Sequence, residues 1–228
     1  NVNGKVLGEA ETRPILQAYG MDLIPGKLAG DAEKAAEIAG RIGFPVAIKI
    51  VSPQILHKSD LGGIALNLGS KEEVEKEVQA MGERIRRADP TAEIKGYLVE
   101  KMAPGGMEVI VGMRRDPTFG PLMMFGLGGV TVELFKDVGF GVAPLTADFA
   151  RGMINETRAG KLLQGFRGSS KYDVGAVIEV LGRLSQLAVD HPSIEEVEIN
   201  PLLVFPEGEG AIVLDARMIL SERKGRSQ

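Results

Sequence analysis

The sequence contains no cysteine, and only two of its 228 residues are histidine. The absence of cysteine excludes disulfide bonds, thiolate catalysis and zinc sites with sulfur ligands. No apolar run approaches the roughly 20 residues that a membrane-spanning helix requires. The net charge is −4, whereas proteins that bind nucleic acids or acidic membranes usually carry an excess of basic residues. We therefore expect partners that are neither nucleic acid nor membrane. The polar start Asn1–Lys5 is unlike an export signal and indicates a cytoplasmic protein.

The remaining composition, with 44% hydrophobic residues, is sufficient for a sizeable core. Hydrophobic periodicity and turn residues predict helices that alternate with strands, and Ser70 with Glu73 forms the capping-box pattern of one helix. The order of predicted elements changes near residue 95, where several short strands follow one another. We therefore predict an α+β fold with two mixed α/β lobes, residues 1–95 and 96–228. The predicted helices are 9–19, 31–42, 70–88, 147–154, 158–163 and 173–189; the predicted strands are 46–51, 64–68, 94–102, 107–113, 122–125, 138–142, 194–205 and 211–216.

The strand 46–51 carries Lys49 within an otherwise apolar pattern. A buried ammonium is costly unless an anion meets it, so Lys49 is a candidate phosphate ligand. The polar turn that follows contains His57 and ends at Gly62 and Gly63, whose N–H groups can cradle a phosphate. The alternative is a lysine at a sheet edge followed by a solvated hairpin loop.

A second cluster, Glu100, Lys101 and Met102, ends the strand at the predicted boundary between the lobes, and Glu108 follows. A strand that leads into a linker offers backbone N–H and C=O groups that could read the edge of a planar base. A carboxylate of this cluster could hold a ribose hydroxyl. The alternative is an ordinary strand end with solvated charges.

A third cluster lies near the C-terminus, where strand alternation places Glu196, Glu198 and Asn200 on one face. Asp215 interrupts an apolar neighbouring strand, and a buried carboxylate without a partner would be expensive. Carboxylate and amide oxygens are ligands that Mg²⁺ prefers, so Glu198, Asn200 and Asp215 are candidate metal ligands. The alternative is a half-exposed strand, which leaves Asp215 unexplained.

These clusters, in this order, resemble the ATP-grasp fold, and five runs of residues sharpen the likeness. The runs are Phe44–Lys49, Leu56–Gly63, Met113–Pro121, Phe125–Gly129 and Glu198–Leu202. Together they resemble the small β subunit of ADP-forming acetyl-CoA synthetase, a family akin to succinyl-CoA synthetase. The resemblance extends from about Glu9 to about Ile219.

The resemblance implies a nucleotide, ADP or ATP with Mg²⁺, bound between the two lobes. It implies that the enzyme interconverts acyl-CoA, ADP and phosphate with a carboxylic acid, CoA and ATP. His57 matches the histidine that carries the phosphoryl group in the ATP-grasp part of the family. The CoA site belongs to an α subunit, so the resemblance implies a hetero-oligomer, for which we expect α2β2.

Two other functions fit part of this pattern. A carboxylate–amine ligase of the ATP-grasp type would use an acyl phosphate directly and would not need His57. A regulatory subunit that binds nucleotide without turnover would not need intact Lys49, Asn200 and Asp215. A phosphoryl-transfer assay discriminates between these possibilities.

Overall fold

The computed structural model describes residues 4–55, 58–128, 137–165 and 170–221. The chain divides into two compact units. The small unit is Ile24–Pro104, and the large unit combines Asn1–Leu23 with Gly105–Gln228. The described helices are α1 (Glu9–Ala18), α2 (Ala32–Ile42), α3 (Lys71–Ala88), α4 (Ala147–Asn155), α5 (Arg158–Leu163) and α6 (Val174–Asp190). The described strands are β1 (Gly4–Leu7), β2 (Gly26–Ala29), β3 (Val46–Val51), β4 (Ile64–Leu68), β5 (Gly96–Lys101), β6 (Met107–Asp116), β7 (Gly120–Leu127), β8 (Val138–Val142), β9 (Ile194–Val204), β10 (Ala211–Val213) and β11 (Ala216–Ser221).

The small unit is an antiparallel sheet with strand order β2-β5-β3-β4, covered by α2 and α3. Alternate residues of β3 point to opposite faces, so Val46, Ile48 and Ile50 join the core beneath the helices. Lys49 lies on the other face of the same strand, where Ile64 of β4 and Leu98 of β5 are its cross-strand neighbours. The sheet therefore presents Lys49 on the side away from the helices.

Helix α3 follows from its sequence pattern. Val74, Val78, Met81 and Ile85 are buried, as their helical spacing predicts. The hydroxyl of Ser70 accepts the backbone N–H of Glu73 at 3.1 Å, which satisfies one N–H of the first turn.

The predicted capping box is only half correct. The carboxylate of Glu73 accepts a hydrogen bond from the backbone N–H of Gly69 at 2.7 Å, one residue before the expected partner Ser70. The carboxylate therefore ties the preceding turn to the helix.

The large unit is built on a seven-stranded sheet in which β1, β11, β9, β6, β7 and β8 follow one another and β10 also pairs with β9. Helices α1, α4, α5 and α6 contribute to the same hydrophobic core as the sheet. On β9, Val197 and Ile199 belong to this core, whereas Glu198 and Asn200 are half-buried on the opposite face. Ala216 and Met218 of β11 also join the core, which leaves Arg217 on the face of Glu198.

The division of the chain differs from the predicted lobes, 1–95 and 96–228, at two places. Strand β1 pairs with β11, so the N-terminal segment belongs to the large unit. Strand β5 pairs with β2 and β3, so it belongs to the small unit. The cause in both cases is pairing between strands that are distant in sequence.

Candidate functional site

In the small unit, Lys49 and Glu100 form a buried ion pair. The distance from Lys49 Nζ to Glu100 Oε2 is 2.7 Å, and the two side chains are 10% and 2% exposed. Glu100 lies across from Ala47 in the β3–β5 register, so its side chain shares the face of Lys49. A Cβ added to Gly26 would lie 2.7 Å from Glu100 Cγ, so glycine is needed there. The arrangement holds an ammonium group at a fixed place on a rigid strand.

The structure thus brings together two residues that the sequence assigned to separate tasks. Lys49 was the predicted phosphate ligand, and Glu100 was assigned to the nucleotide base and ribose. Glu100 is 2% exposed and directs its carboxylate at the ammonium of Lys49. Its role in this arrangement is to place and neutralise Lys49.

The backbone N–H groups at the end of β5 are already used within the small unit. The N–H of Lys101 donates to the carbonyl of Pro25 at 2.9 Å, and that of Met102 donates to Pro45 at 3.3 Å. The thioether of Met102 accepts the N–H of Asn67 at 3.4 Å. These two N–H groups therefore do not supply the donors that we expected to read a base edge.

The glycine pair closes a turn. The N–H of Gly62 donates to Ser59 at 3.1 Å, and that of Gly63 donates to Lys58 at 2.7 Å. Both donors are thus engaged inside the loop, which corrects the predicted phosphate cradle. Gly62 has a φ of +65°, and a Cβ on Gly63 would lie 2.7 Å from Ile50 Cγ2. The glycines are required by the shape of the turn.

Arg84 of α3 fastens this turn to the helix. Its Nη2 donates to the carbonyl of Gly62 at 2.9 Å and to Glu77 Oε1 at 2.6 Å. No sequence pattern predicts this contact, because Arg84 has the spacing of an ordinary exposed helix residue. His57, the predicted phosphoryl carrier, lies outside the described residues.

Glu108 is part of β6 in the large unit, and its side chain is exposed. Leu203 of β9 is the cross-strand neighbour of Glu108. The backbone carbonyl of Glu108 accepts a hydrogen bond from the N–H of Gly128 at 3.1 Å. The structure therefore places Glu108 and Glu100 in different units. A ribose contact for Glu108 remains a prediction.

In the large unit, one strand register brings the predicted metal ligands together. Val213 pairs with Leu202 and Ala216 with Ile199, and the same register continues through the two residues between β10 and β11. Asp215 therefore lies across from Asn200, and the N–H of Asn200 donates to the carbonyl of Asp215 at 3.0 Å. The side chains of both residues are half-buried. An amide oxygen and a carboxylate thus share one site on the sheet.

Glu198 lies two residues before Asn200 on the same face, and Arg217 of β11 is its cross-strand neighbour. Arg217 Nη2 is 2.7 Å from Glu198 Oε2 and 3.1 Å from Glu196 Oε1. Asn200 Nδ2 donates to Glu198 Oε1 at 3.5 Å. A chain of polar contacts therefore runs from Glu196 through Arg217 and Glu198 to Asn200.

Within the described part of the chain, no group of three or more His, Cys, Asp or Glu side chains could hold a metal ion. This agrees with the small number of carboxylates at the candidate site, where Asn200 contributes an amide. Mg²⁺ commonly takes one or two carboxylates, and water and substrate phosphates supply the rest of its octahedral shell. Of the three predicted ligands, Asn200 and Asp215 are donors that fit such a cation, whereas the carboxylate of Glu198 beside them already contacts Arg217 and Asn200.

Comparison with known proteins identifies the family. A family profile described as ATP-grasp domain matches residues 1–220. The β subunit of ADP-forming acetate–CoA ligase I from Pyrococcus furiosus is 44% identical over 214 residues, 94% of this chain and 91% of that protein. The chain belongs to the ATP-grasp family of ADP-forming acetate–CoA ligase β subunits. The resemblance drawn from the motifs and the predicted fold class are both confirmed.

The family includes longer proteins. ADP-forming acetate–CoA ligase I of Archaeoglobus fulgidus is 45% identical over 219 residues, which are 96% of this chain but 31% of that protein. The chain therefore spans about a third of the single-chain relative and nine tenths of the separate β subunit. The ligase β subunit corresponds to one part of the longer ligase.

Solved structures of the same family share the fold. Acetyl-coenzyme A synthetase 1 of Ca. Korarchaeum cryptofilum, in complex with coenzyme A, Ca-AMPCP and HgCl+, superposes with a TM-score of 0.90 at 47% identity, covering 95% of this chain and 93% of that chain. A complex of that synthetase with coenzyme A and Mg-AMPPCP has a TM-score of 0.81 at 44% identity, covering 95% of this chain and 93% of that chain. Its phosphohistidine segment is described as pointing towards the nucleotide binding site.

The Arg-Arg-Asp-Pro run of this ligase family has a structural explanation. Arg115 Nη2 donates to the carbonyl of Ala188 at 2.8 Å and so ties the end of α6 to β6. The carboxylate of Asp116 accepts the backbone N–H groups of Phe119 and Thr118, and these hydrogen bonds hold the pKa of Asp116 below its ordinary value. Within the described ranges, no helix of this chain is both long and apolar enough to cross a membrane.

Sequence reasoning missed the role of Arg217, although a signal was present. Arg217 follows Asp215 by two residues, so strand alternation places both on one face. What the sequence did not reveal was the register that sets Arg217 across from Glu198. His191, the other histidine of the chain, is the residue that caps the C-terminus of α6.

Proposed function

We propose that the chain is the nucleotide-binding β subunit of an ADP-forming acyl-CoA synthetase. The enzyme would interconvert acyl-CoA, ADP and phosphate with a carboxylic acid, CoA and ATP. The observation that carries this proposal is the 44% identity to a ligase β subunit over 91% of that protein. The family profile match, residues 1–220, includes both Lys49 and the Asn200–Asp215 pair.

Lys49 is the proposed phosphate ligand of the small unit. Its ammonium is 2.7 Å from the Glu100 carboxylate, and both side chains are buried. A phosphate oxygen that approaches Lys49 would meet a cation whose position is already set, so little side-chain entropy is lost on binding. We further propose that Lys101, Met102, Gly62, Gly63 and Glu108 shape the nucleotide site, without the N–H contacts that the sequence suggested.

Asn200 and Asp215 are the proposed holders of Mg²⁺, and Glu198 lies beside them. When bound, the cation would neutralise charge on the phosphoryl group in transfer. The pairing of Asn200 with Asp215 across β9 and the chain segment after β10 supports this assignment. The related synthetase bound to Mg-AMPPCP supports the choice of metal.

His57 is the proposed phosphoryl carrier. In the direction of ATP formation, the P–N bond of phosphohistidine breaks as a terminal oxygen of ADP forms a new P–O bond, and the imidazole is regenerated. The phosphohistidine segment described for the related synthetase supports this role. The turn that follows His57 in the sequence is closed by the N–H groups of Gly62 and Gly63 and is held to α3 by Arg84.

A second subunit is needed for the complete reaction. This chain matches 31% of the longer relative, so about two thirds of that protein has no counterpart here. The proposed CoA-binding α subunit would correspond to that remaining part. We propose a hetero-oligomer, with α2β2 as the expected form. A cytoplasmic location would give the enzyme access to acyl-CoA and ADP.

The experiment is phosphoryl labelling of the full chain with Mg²⁺ and ATP labelled at the terminal phosphate. We expect one label that is stable to base and labile to acid, as a phosphoramidate is. His57→Asn should lose the label yet still bind ADP, and turnover with the α subunit present should fall at least about 1,000-fold.

His191→Asn is the matched control, because the chain contains only two histidines. This variant should keep the label and near-normal turnover. If the label survives His57→Asn, or if turnover stays near normal, phosphate passes to ADP by another route and the carrier assignment is wrong.

A further inference from the structure

Arg217 occupies a special position beside the candidate cation site. Its Nε and Nη2 contact Glu198 Oε2 at 3.1 and 2.7 Å, and Nη2 also contacts Glu196 Oε1 at 3.1 Å. The side chains of Arg217, Glu196 and Glu198 are 39%, 18% and 29% exposed. One guanidinium thus links two carboxylates that belong to the same strand.

The contacts divide the two oxygens of Glu198. Oε2 receives both hydrogen bonds from Arg217, whereas Oε1 faces the amide of Asn200 at 3.5 Å. The planar guanidinium fixes a carboxylate in direction as well as in distance. Rotation of the Glu198 carboxylate would break two hydrogen bonds at once, so Oε1 stays on the side of Asn200.

We propose that Arg217 is a positioning residue for the cation that accompanies the nucleotide, with Glu196 as its anchor. The proposal rests on the proposed function, because it takes Asn200 and Asp215 as the holders of that cation. Arg217 orients Glu198, and Glu198 in turn orients the amide of Asn200. Partners of this kind, which act through the ligands, typically change metal affinity 10–100-fold when they are removed.

The sign of the effect separates positioning from simple charge. If Arg217 acted only as a nearby positive charge, or only competed with the cation for Glu198, its removal would strengthen cation binding. If it positions Glu198 and Asn200, its removal weakens cation binding although a repelling charge has gone. The two roles therefore predict opposite changes in one measured constant.

The experiment is a titration of the full chain with Mn²⁺ at saturating ADP, followed by electron paramagnetic resonance of the free ion. Arg217→Met should raise the dissociation constant for Mn²⁺ about 10-fold. Arg217→Lys keeps the positive charge but lacks the planar set of guanidinium N–H donors, so it should also weaken Mn²⁺ binding. The affinity for ADP measured in EDTA should stay unchanged in both variants, whereas general damage to the fold would alter it.

Arg114→Met is the matched control. Arg114 lies on the same face, across from Glu196 in the β6–β9 register, and its charge helps to lower the pKa of Asp116. Its removal takes away one positive charge without releasing Glu198. Mn²⁺ affinity should therefore be unchanged or slightly stronger in this variant.

Asp215→Asn separates the inference from the proposed function on which it rests. If Asp215→Asn weakens Mn²⁺ binding but Arg217→Met leaves it unchanged or strengthens it, the positioning role of Arg217 is wrong and the cation site stands. If Asp215→Asn binds Mn²⁺ as the wild type does, the cation site itself is wrong. Equal weakening by Arg114→Met and Arg217→Met would also overturn the inference.

Discussion

The buried pair of Lys49 and Glu100 leads to the most informative stability prediction. Glu100→Gln keeps the volume and one oxygen of the side chain but removes its negative charge. Lys49, with a side chain only 10% exposed, would then lie in a protein interior without that carboxylate. We expect a large loss of stability in the small unit.

The magnitude follows from the geometry. Two unit charges 2.7 Å apart attract each other by about 6 kcal/mol at an effective dielectric constant near 20. Desolvation opposes this attraction by several kcal/mol per ion, so the net contribution of the pair is small. Removal of one partner leaves the desolvation cost of the other, and such variants lose about 3–5 kcal/mol. Because glutamine keeps an acceptor, we expect about 3 kcal/mol for Glu100→Gln.

The assay is urea denaturation followed by far-UV circular dichroism, with amide hydrogen exchange of β3 and β5 to locate the change. The double variant Lys49→Met, Glu100→Met replaces both charges with apolar side chains. It should return to within about 1 kcal/mol of the wild type, because no buried charge remains. Its nucleotide binding should be lost, since Lys49 is the proposed phosphate ligand.

An exposed pair of equal length is the matched control. Lys34 and Glu37 of α2 are also 2.7 Å apart, but their side chains are 52% and 42% exposed. Glu37→Gln should leave the unfolding transition where it is, because water screens such pairs. If Glu100→Gln changes stability as little as Glu37→Gln does, burial does not govern the Lys49–Glu100 pair and the reasoning is refuted.

Two further predictions concern the turn after His57 and the dependence of stability on acidic pH. Gly63→Ala would place a Cβ 2.7 Å from Ile50 Cγ2 in the core, so it should lower the free energy of unfolding, measured by urea denaturation, by roughly 1–3 kcal/mol. Gly105→Ala is the control, because a Cβ there would meet nothing within 4 Å. Equal effects of the two substitutions would contradict the proposed contact. The hydrogen bond from the Tyr19 hydroxyl is the largest cause that lowers the pKa of Asp190. A depressed pKa contributes stability above the unfolded value, near 3.9, and this contribution is lost as the pH falls through the folded value. Tyr19→Phe should therefore reduce stability at pH 6, and the difference from wild type should shrink below about pH 4; a difference that does not change with pH would contradict this account.

The candidate site was predicted unevenly. Lys49 and Asp215 were singled out because each interrupts an apolar pattern, where a polar group requires a partner, and Asn200 because it continues the polar face of Glu196 and Glu198. Glu100 was singled out on a different strand and was assigned to the nucleotide, whereas in the structure its carboxylate pairs with Lys49. The N–H groups of Gly62 and Gly63, predicted to bind phosphate, are engaged within their own turn. The prediction was wrong because the sequence alone does not show where a backbone N–H points.

The local structure and the family of this protein could be predicted from its sequence. Helices and strands of strong periodicity, such as α3 and β3, agree with their predicted ranges because each depends on a spacing of apolar residues that is visible along the chain. Specific motifs, read in order, were sufficient to indicate the ATP-grasp fold.

The pairing of distant segments could not be predicted from the sequence and is known from the folded structure. The short strands β1 and β2 have little periodicity of their own and exist because β11 and β5 offer them partners. The segment predicted as one strand over 211–216 is two strands, although it keeps a single register against β9. That register sets Arg217 across from Glu198, and the β3–β5 register sets Lys49 beside Glu100. Register depends on the packing of whole sheets, so no local pattern could specify these contacts.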